Sequence, residues 1–157
     1  KMLMVGRTQG GQAKRSPTLP RSHGMVPNSV TPFGAMVKLY CETDFVGRNE
    51  EFQELGRDIA MHVSASAPRY IKPEDMPAEE VEKEKVIWRE QLQAEGKEEK
   101  LIEQIMAGKE AKFRAESALL TQPFVKDGDK TVGELITEKI HKIGENIQIG
   151  GFVRYEM

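Results

Sequence analysis

The sequence predicts an α+β fold in which a small antiparallel sheet packs against helices, with a helical hairpin added to this core. Three observations lead to this class. Two segments alternate apolar and polar residues with the period of a strand, one just after residue 34 and one at the carboxyl end. Between them lie amphipathic helical patterns with recognisable caps. Residues 34–157 are therefore expected to form one domain, preceded by an irregular segment at residues 1–33 that is rich in proline and glycine.

That amino-terminal segment, residues 1–33, shows neither helical nor strand periodicity. Its prolines and glycines interrupt every candidate element: Pro17, Pro20, Pro27 and Pro32, with Gly6, Gly10, Gly11 and Gly24. All six charged side chains of residues 1–41 are basic, whereas residues 42–157 hold 17 basic and 25 acidic side chains. A basic, acid-free start is typical of a transit peptide or a nucleic-acid arm, and equally of a disordered or non-native leader. Of these, the leader is favoured.

The first strand of the domain is predicted from Ala35 to Glu42, and a helix begins near Asn49. In the strand, Val37, Leu39 and Cys41 share the apolar side. Asn49 is a suitable N-cap, and two glutamates after it favour the positive end of a helix. The apolar positions of this helix recur at steps of three and four residues: Phe52, Leu55, Ile59 and Val63.

Two further helices are dense in charge and have narrow apolar stripes. The first follows a loop within residues 73–96, and the second lies at residues 98–120. The first stripe consists of Val81, Trp88 and Leu92, and the second of Leu101, Ile102, Ile105 and Met106. Asp75 is a suitable cap for the first helix, and Gly108 is expected to break the second. Narrow stripes on adjacent helices indicate a peripheral or protruding helical hairpin.

The carboxyl-terminal part begins with a turn-rich stretch at residues 121–130, and a well-capped helix follows. Thr131 and Glu134 have the spacing of a capping box, and Gly144 is a typical stop. The last strand, at residues 146–156, is predicted to place four apolar residues on one side: Ile147, Ile149, Val153 and Tyr155. Two glycines, at 150 and 151, weaken the middle of this strand.

The chain lacks the residue patterns of an enzyme or of a metal site. It has no G-x-x-x-x-G-K-[ST] phosphate loop, and His23, His62 and His141 are far apart and lack zinc-ligand spacing with Cys41. His62 falls at the edge of an apolar helix face, where a packed core histidine is expected. One cysteine cannot form an internal disulfide, and no apolar run could span a bilayer. The sequence thus predicts a binding protein without catalytic residues, cofactor or metal.

The connection from Cys41 to Asn49 contains an aromatic residue with no periodic reason to be buried. Phe45 follows Asp44 and lies between the last inward position of the strand and the first apolar position of the helix. Partner contact is favoured for Phe45 over packing in the core. For Val46 two alternatives stay equal: partner contact, or packing back onto the following helix.

The motifs of this connection and of several later segments resemble those of the elongation factor Ts family. The first is Thr43-Asp44-Phe45-Val46. The others follow in chain order: Asn49–Phe52, Asp58–His62, Ala67–Tyr70, Gln122–Lys126 and Ile143–Ile147. The resemblance covers about residues 34–157, the core or dimerisation domain, and is greatest to the short bacterial or organellar form with one core domain.

The resemblance implies a guanine-nucleotide exchange factor, which binds elongation factor Tu·GDP and promotes GDP release during translation elongation. In the family an Asp-Phe pair, here Asp44 and Phe45, enters the GTPase near its Mg²⁺-binding region. The implied partner-binding residues are Thr43, Asp44, Phe45, Val46, Ile143, Gly144, Glu145 and Asn146. For the last four, ordinary capping of a helix by Gly144 is an equal alternative.

The resemblance also implies a homodimer formed through the last strand. No membrane role and no direct contact with nucleic acid are expected. The expected location is the bacterial cytoplasm, with an organellar matrix or stroma as the alternative. Residues 1–33 lack a recognisable counterpart of the family's ubiquitin-associated-like module. Gly47 stands in place of an alanine, and Gly150-Gly151 in place of a basic pair. The alternatives are therefore an inactive or truncated fragment that binds elongation factor Tu, or an RNA- or ribosome-binding module that uses the basic segment.

Overall fold

A computed structural model describes residues 2–9 and 33–156, with side chains described from residue 34 to residue 156. It confirms the α+β class. The strands are β1 (Met2–Gln9), β2 (Phe33–Cys41), β3 (Pro123–Phe124), β4 (Asp127–Thr131) and β5 (Ile147–Glu156). The helices are α1 (Asp44–Gly47), α2 (Glu50–Ser66), α3 (Ala78–Ala94), α4 (Glu99–Ser117) and α5 (Val132–Ile143). Two short 3-10 turns, Pro73–Asp75 and Leu119–Thr121, precede α3 and follow α4.

The main sheet has the strand order β1-β2-β5, and both pairings are antiparallel. The central strand, β2, is therefore paired on one side with the first strand and on the other with the last. Cys41 lies opposite Ile147 in this sheet, so the end of β2 that leads into α1 is next to the start of β5. This pairing brings together two parts of the chain that are about a hundred residues apart in sequence.

β1 corrects the expectation that residues 1–33 are irregular. Met2–Gln9 pairs with β2, with Met2 opposite Tyr40 and Gln9 opposite Gly34. The prediction was wrong here because residues 2–5 are all apolar and do not alternate, so the strand is defined by its partner and not by its own pattern. The remainder of the predicted leader, residues 10–32, lies outside the described residues.

The inner face of the main sheet packs against α2. Both β2 residues Val37 and Leu39 are buried there, as predicted, and Cys41 is buried beside them. All four predicted apolar positions of α2 are fully buried: Phe52, Leu55, Ile59 and Val63. Burial of one such side chain contributes roughly 1.5–3 kcal/mol, so this layer fixes α2 on the sheet. Asn49 caps the helix by accepting a hydrogen bond of 2.8 Å from the Glu51 amide.

β5 contains a bulge at Gly150. Ile149 and Gly151 lie opposite consecutive residues of β2, which leaves Gly150 with no residue opposite it. A methyl group at position 150 would overlap the ring of Tyr40 on β2, so the close approach of this ring requires a glycine. The pair of glycines is therefore accommodated within one continuous strand.

The bulge changes which residues of β5 face the core. Ile147 and Ile149 face inward as predicted, but beyond the bulge Phe152 packs against the core. Val153 and Tyr155 are exposed on the opposite face. The prediction that these two share the inner side was wrong, because one extra residue shifts the alternation of the strand by one position.

The hairpin of α3 and α4 is present and has a small apolar cluster of its own, separate from the main core: Leu92, Ile102 and Met106, with Ile105 packed against it. Trp88 and Phe113 make an edge-to-face contact across the hairpin, with ring centroids 5.6 Å apart. Gly108 does not break α4, which is continuous from Glu99 to Ser117. Asp75 does not cap α3 but closes a 3-10 turn by accepting from the Lys72 amide. No helix in the described residues is long and apolar enough to cross a membrane.

α5 begins and ends as the sequence predicts. The Thr131 hydroxyl accepts from the Glu134 amide, and the Glu134 carboxylate accepts from the Thr131 amide at 2.7 Å. Gly144 follows the last turn with φ +81°, a left-handed conformation in which its amide donates to the Ile140 carbonyl. This glycine turns the chain out of the helix and toward the start of β5.

Candidate functional site

The connection between β2 and α2 is a single helical turn, α1, preceded by its cap. We call residues Thr43–Gly47 the tip turn. Thr43 has an extended backbone, and its hydroxyl accepts from the Val46 amide at 3.5 Å. The Thr43 carbonyl accepts from the Gly47 amide, and the Asp44 carbonyl accepts from the Arg48 amide. Asp44 and Phe45 occupy the outer side of this turn and are both exposed.

Phe45 is the most exposed large apolar side chain in the described part of the chain, with 88% of its surface accessible. The next residue, Val46, is only 7% accessible and belongs to the main core. Two adjacent apolar residues of the same motif thus differ in their environment: Phe45 is exposed to solvent, and Val46 is buried. Of the two alternatives for Val46, packing into the protein is the one observed, and Val46 holds the turn that presents Phe45.

The second predicted segment, Ile143–Asn146, also contains both partly buried and exposed residues. Ile143 is partly buried and packs against the main core. Gly144 is the left-handed residue that ends α5, so it caps the helix as predicted, and its contact with a partner stays a prediction. Gly144 and Asn146 are exposed, and Glu145 between them is partly buried. The surface part of this segment therefore consists of Gly144 and Asn146.

The structure brings the two predicted segments into direct contact. The Glu145 carboxylate accepts one hydrogen bond from the Thr43 amide at 3.1 Å and another from the Thr43 hydroxyl at 2.7 Å. These two residues are 102 positions apart in sequence. Hydrogen bonds to an ionised carboxylate are shorter and stronger than neutral ones. The contact was not predicted, because neither residue carries a local signal for a partner so distant along the chain.

Cys41 lies beneath the tip turn and is a core residue, as predicted. Its thiol donates to the Thr43 carbonyl at 3.3 Å. Burial raises the pKa of the Cys41 thiol, and the nearby carboxylates of Glu145 and Asp44 raise it further. The thiol therefore stays protonated at neutral pH, which removes it as a nucleophile.

His62 is also a core residue. The Val125 amide donates to His62 Nδ1 at 3.3 Å, so Nε2 carries the proton and donates to Gln122 Oε1 at 2.9 Å. Both ring nitrogens are thus used in holding α2 to the loop after α4. Among the residues whose side chains are described, no group of three His, Cys, Asp or Glu residues is placed to hold a metal ion.

The site is therefore a projecting contact surface: the exposed Asp44 and Phe45 stand beside the exposed Gly144 and Asn146, on a base fixed by Val46 and by the contact between Thr43 and Glu145. Such a surface can bind a partner through one aromatic side chain and one acid. It offers no arrangement of nucleophile, base and orienting group.

The sequence of the chain is similar to those of one family of known proteins. The model of the family described as Elongation factor TS matches residues 53–157. Elongation factor Ts of Thermosipho melanesiensis is 46% identical over 159 residues, which cover 99% of this chain and 81% of that protein. Elongation factor Ts of Thermodesulfovibrio yellowstonii is 51% identical over 124 residues, covering 79% of this chain and 62% of the relative.

A third relative, Elongation factor Ts of Acetivibrio thermocellus, is 53% identical over 123 residues, covering 78% of this chain and 57% of that protein. The chain thus spans between 57% and 81% of the length of these relatives. The match of the family model to two thirds of the chain and the identity to these relatives agree with each other. The chain belongs to the elongation factor Ts family.

Proposed function

We propose that this chain is a guanine-nucleotide exchange factor that binds elongation factor Tu·GDP and promotes GDP release in translation elongation. The observation that carries the proposal is Phe45, an aromatic side chain 88% exposed on a turn whose next residue is buried. Membership of the elongation factor Ts family supports the choice of partner. Because the matched relatives are bacterial, we propose the bacterial cytoplasm as the place of action, with an organellar matrix or stroma as the alternative.

The proposed mechanism is insertion of Asp44 and Phe45 near the Mg²⁺-binding region of the GTPase. Displacement of the elements that hold Mg²⁺ removes its stabilisation of the nucleotide phosphates, so that GDP leaves faster. The factor acts on the equilibrium only because it binds the nucleotide-free GTPase better than the GDP-bound form. An exposed Phe45 can supply part of this difference, because it is transferred from water to an apolar environment in one of the two states and not in the other.

The expected effect of removing the Phe45 side chain follows from its exposure in the unbound chain. Complete burial of a phenylalanine side chain contributes roughly 1.5–3 kcal/mol, and each 1.4 kcal/mol or so is a factor of ten in an equilibrium constant. Since Phe45 is almost fully accessible in the unbound chain, nearly all of this contribution is available to the complex. Phe45→Ala is therefore expected to weaken the complex with elongation factor Tu about ten- to a hundredfold.

The test measures release of a fluorescent GDP analogue from elongation factor Tu over a range of factor concentrations. Val86→Ala is a matched control, because Val86 is an apolar side chain 58% exposed on α3, away from the tip turn. The proposal is supported if Phe45→Ala lowers the apparent affinity and Val86→Ala does not. Equal stimulation by Phe45→Ala and the parent chain would contradict it.

A pull-down combined with this release assay separates exchange from binding alone. A pull-down with elongation factor Tu that retains the parent chain, combined with no acceleration of GDP release, would favour the inactive or truncated fragment. An RNA- or ribosome-binding role of the basic segment stays a separate prediction. It requires salt-dependent RNA binding that is lost when Lys14, Arg15 and Arg21 are changed to glutamine.

We further propose that the chain forms a homodimer through its last strand. Within the described residues, β5 is paired with β2 on one side only. The outer face of these two strands carries a patch of exposed apolar side chains. Met36, Val153 and Tyr155 in this patch are 44%, 48% and 60% exposed. A charged residue at the centre of this patch, in Val153→Asp, is expected to shift the mass measured by light scattering from dimer to monomer, because an unpaired charge in an apolar interface is costly. A monomeric parent chain would contradict the proposal.

A further inference from the structure

The tip turn is too short to be stable by itself. It contains one helical turn of four residues, and an isolated helix of that length is not formed in water because nucleation is unfavourable. Its geometry must therefore come from contacts at its two ends. Val46 supplies one, through its burial in the main core, and the described contacts of Thr43 supply the other.

Thr43 is the donor, and Glu145 the acceptor, of both hydrogen bonds between them. The Thr43 hydroxyl donates its proton to Glu145 Oε1 at 2.7 Å, which leaves its lone pairs for the Val46 amide at 3.5 Å. The Thr43 amide donates to the other oxygen, Oε2. A carboxylate is the side chain suited to this task, because it accepts two hydrogen bonds at once and donates none. Glu145 thus holds the residue that caps α1.

We propose that Glu145 is a positioning residue for nucleotide exchange: by accepting both hydrogen bonds from Thr43, its carboxylate fixes the tip turn from which Asp44 and Phe45 project. The inference rests on the proposed function of Phe45. It assigns Glu145 a role inside this chain, whereas family resemblance alone places it among the residues that touch the partner. Both carboxylate oxygens are engaged with Thr43, and the side chain is partly buried.

The two roles predict different behaviour in combined variants. If Glu145 acts by positioning Phe45, its removal matters only while Phe45 is present. Glu145→Ala is then expected to slow GDP release by roughly threefold to tenfold in the parent chain, the fold-change that corresponds to the net contribution of about one ordinary hydrogen bond. In a Phe45→Ala background the same change is expected to have little further effect. Independent, multiplying effects would overturn the proposal, because they would indicate direct contact with the partner.

Conservative variants distinguish positioning from general damage. Thr43→Ser keeps both donors and is expected to lose less exchange than Thr43→Val, which removes the hydroxyl. Thr43→Val is expected to resemble Glu145→Gln, which leaves one good acceptor. Glu138→Ala is the matched control. It also removes a glutamate of α5 that bonds a neighbouring side chain, Lys130, but it lies away from the tip turn. A loss of exchange in Thr43→Ser equal to that in Thr43→Val would overturn the proposal.

Amide hydrogen exchange tests the contact without elongation factor Tu. In Glu145→Gln, exchange of the Thr43, Gly47 and Arg48 amides is expected to rise about tenfold, because these amides form the bonds of the tip turn. The amide of Ile59, in the buried part of α2, is expected not to change. Unchanged protection of the tip turn would overturn the positioning role, whatever the outcome with Phe45→Ala. If Phe45→Ala has no effect on GDP release but the tip turn loses protection, the proposed function is wrong and the structural role of Glu145 is retained.

Discussion

His62 gives the stability of the fold a pH dependence that one substitution can isolate. The ring is completely buried between α2 and the loop before β4. Burial lowers the pKa of His62 below 6.5, and the hydrogen bond to Gln122 offsets only part of this effect. In the neutral ring, Nδ1 accepts from the Val125 amide. A proton on Nδ1 would turn this nitrogen into a donor, and it would then face the Val125 amide, which is also a donor.

The direction of this pH dependence follows from the number of protons that the folded and the unfolded states bind. Above about pH 6.5 the ring is neutral in both states, so the favourable environment of neutral His62 contributes fully to stability. Below that pH the unfolded chain binds a proton that the folded chain does not bind, and stability falls as the pH decreases toward the lower pKa of the folded state. The largest slope for one proton is about 1.4 kcal/mol per pH unit. Between pH 6 and pH 5 the expected loss from His62 is therefore at most about 1.4 kcal/mol.

The assay is urea unfolding at several values from pH 5.0 to pH 7.5, with the parent chain compared with His62→Gln. Glutamine offers one acceptor and one donor group for Val125 and Gln122 but does not titrate. The free energy of unfolding of the parent is expected to fall more steeply with decreasing pH, and the difference between the two curves is the contribution of His62. Carboxylates and the exposed His141 are common to both chains and cancel. Parallel curves would refute the reasoning.

Two glycines in helices make a matched pair of further predictions. Gly108→Ala is expected to stabilise the fold by about 0.5–1 kcal/mol, because a methyl group there meets open space in the middle of α4 and alanine reduces the entropy of the unfolded chain. Gly133→Ala is expected to destabilise by roughly 1–3 kcal/mol, because its methyl group would lie 2.9 Å from the backbone carbonyl oxygen of Leu120. Thermal unfolding measures both changes, and a shift of the same sign in the two variants would contradict this explanation.

The parts of the fold that could be predicted are those specified by local signals. Asn49 caps α2, and Thr131 with Glu134 caps α5, because the polar groups that satisfy a helix start lie within three residues of it. The exposure of Phe45 could also be predicted, since the residue falls outside the periods of both neighbouring elements. Gly108 was misjudged because one glycine costs a helix only about 1 kcal/mol, and packing against the facing helix exceeds that cost.

The parts that could not be predicted depend on pairing between distant segments. β1 was missed because its apolar run acquires a direction and a register only beside β2. The outer face of β5 was assigned wrongly after Gly150, because a bulge is defined by the partner strand and not by the sequence of its own strand. In the same way, the sequence offered no means to connect Thr43 with Glu145, although each had been placed in a candidate contact segment.

The distance in sequence between Thr43 and Glu145 has a consequence for synthesis of the protein. A chain is made from its amino end, so the tip turn leaves the ribosome well before the glutamate that holds it, 102 residues later. β2 likewise gains its second neighbour only when β5 has been made. Under the proposed function, an unfinished chain carries Phe45 but not the support that orients it. Under that proposal, competence to act on elongation factor Tu is expected only after Glu145 has been made, and a product that stops before Glu145 is expected to be defective in exchange.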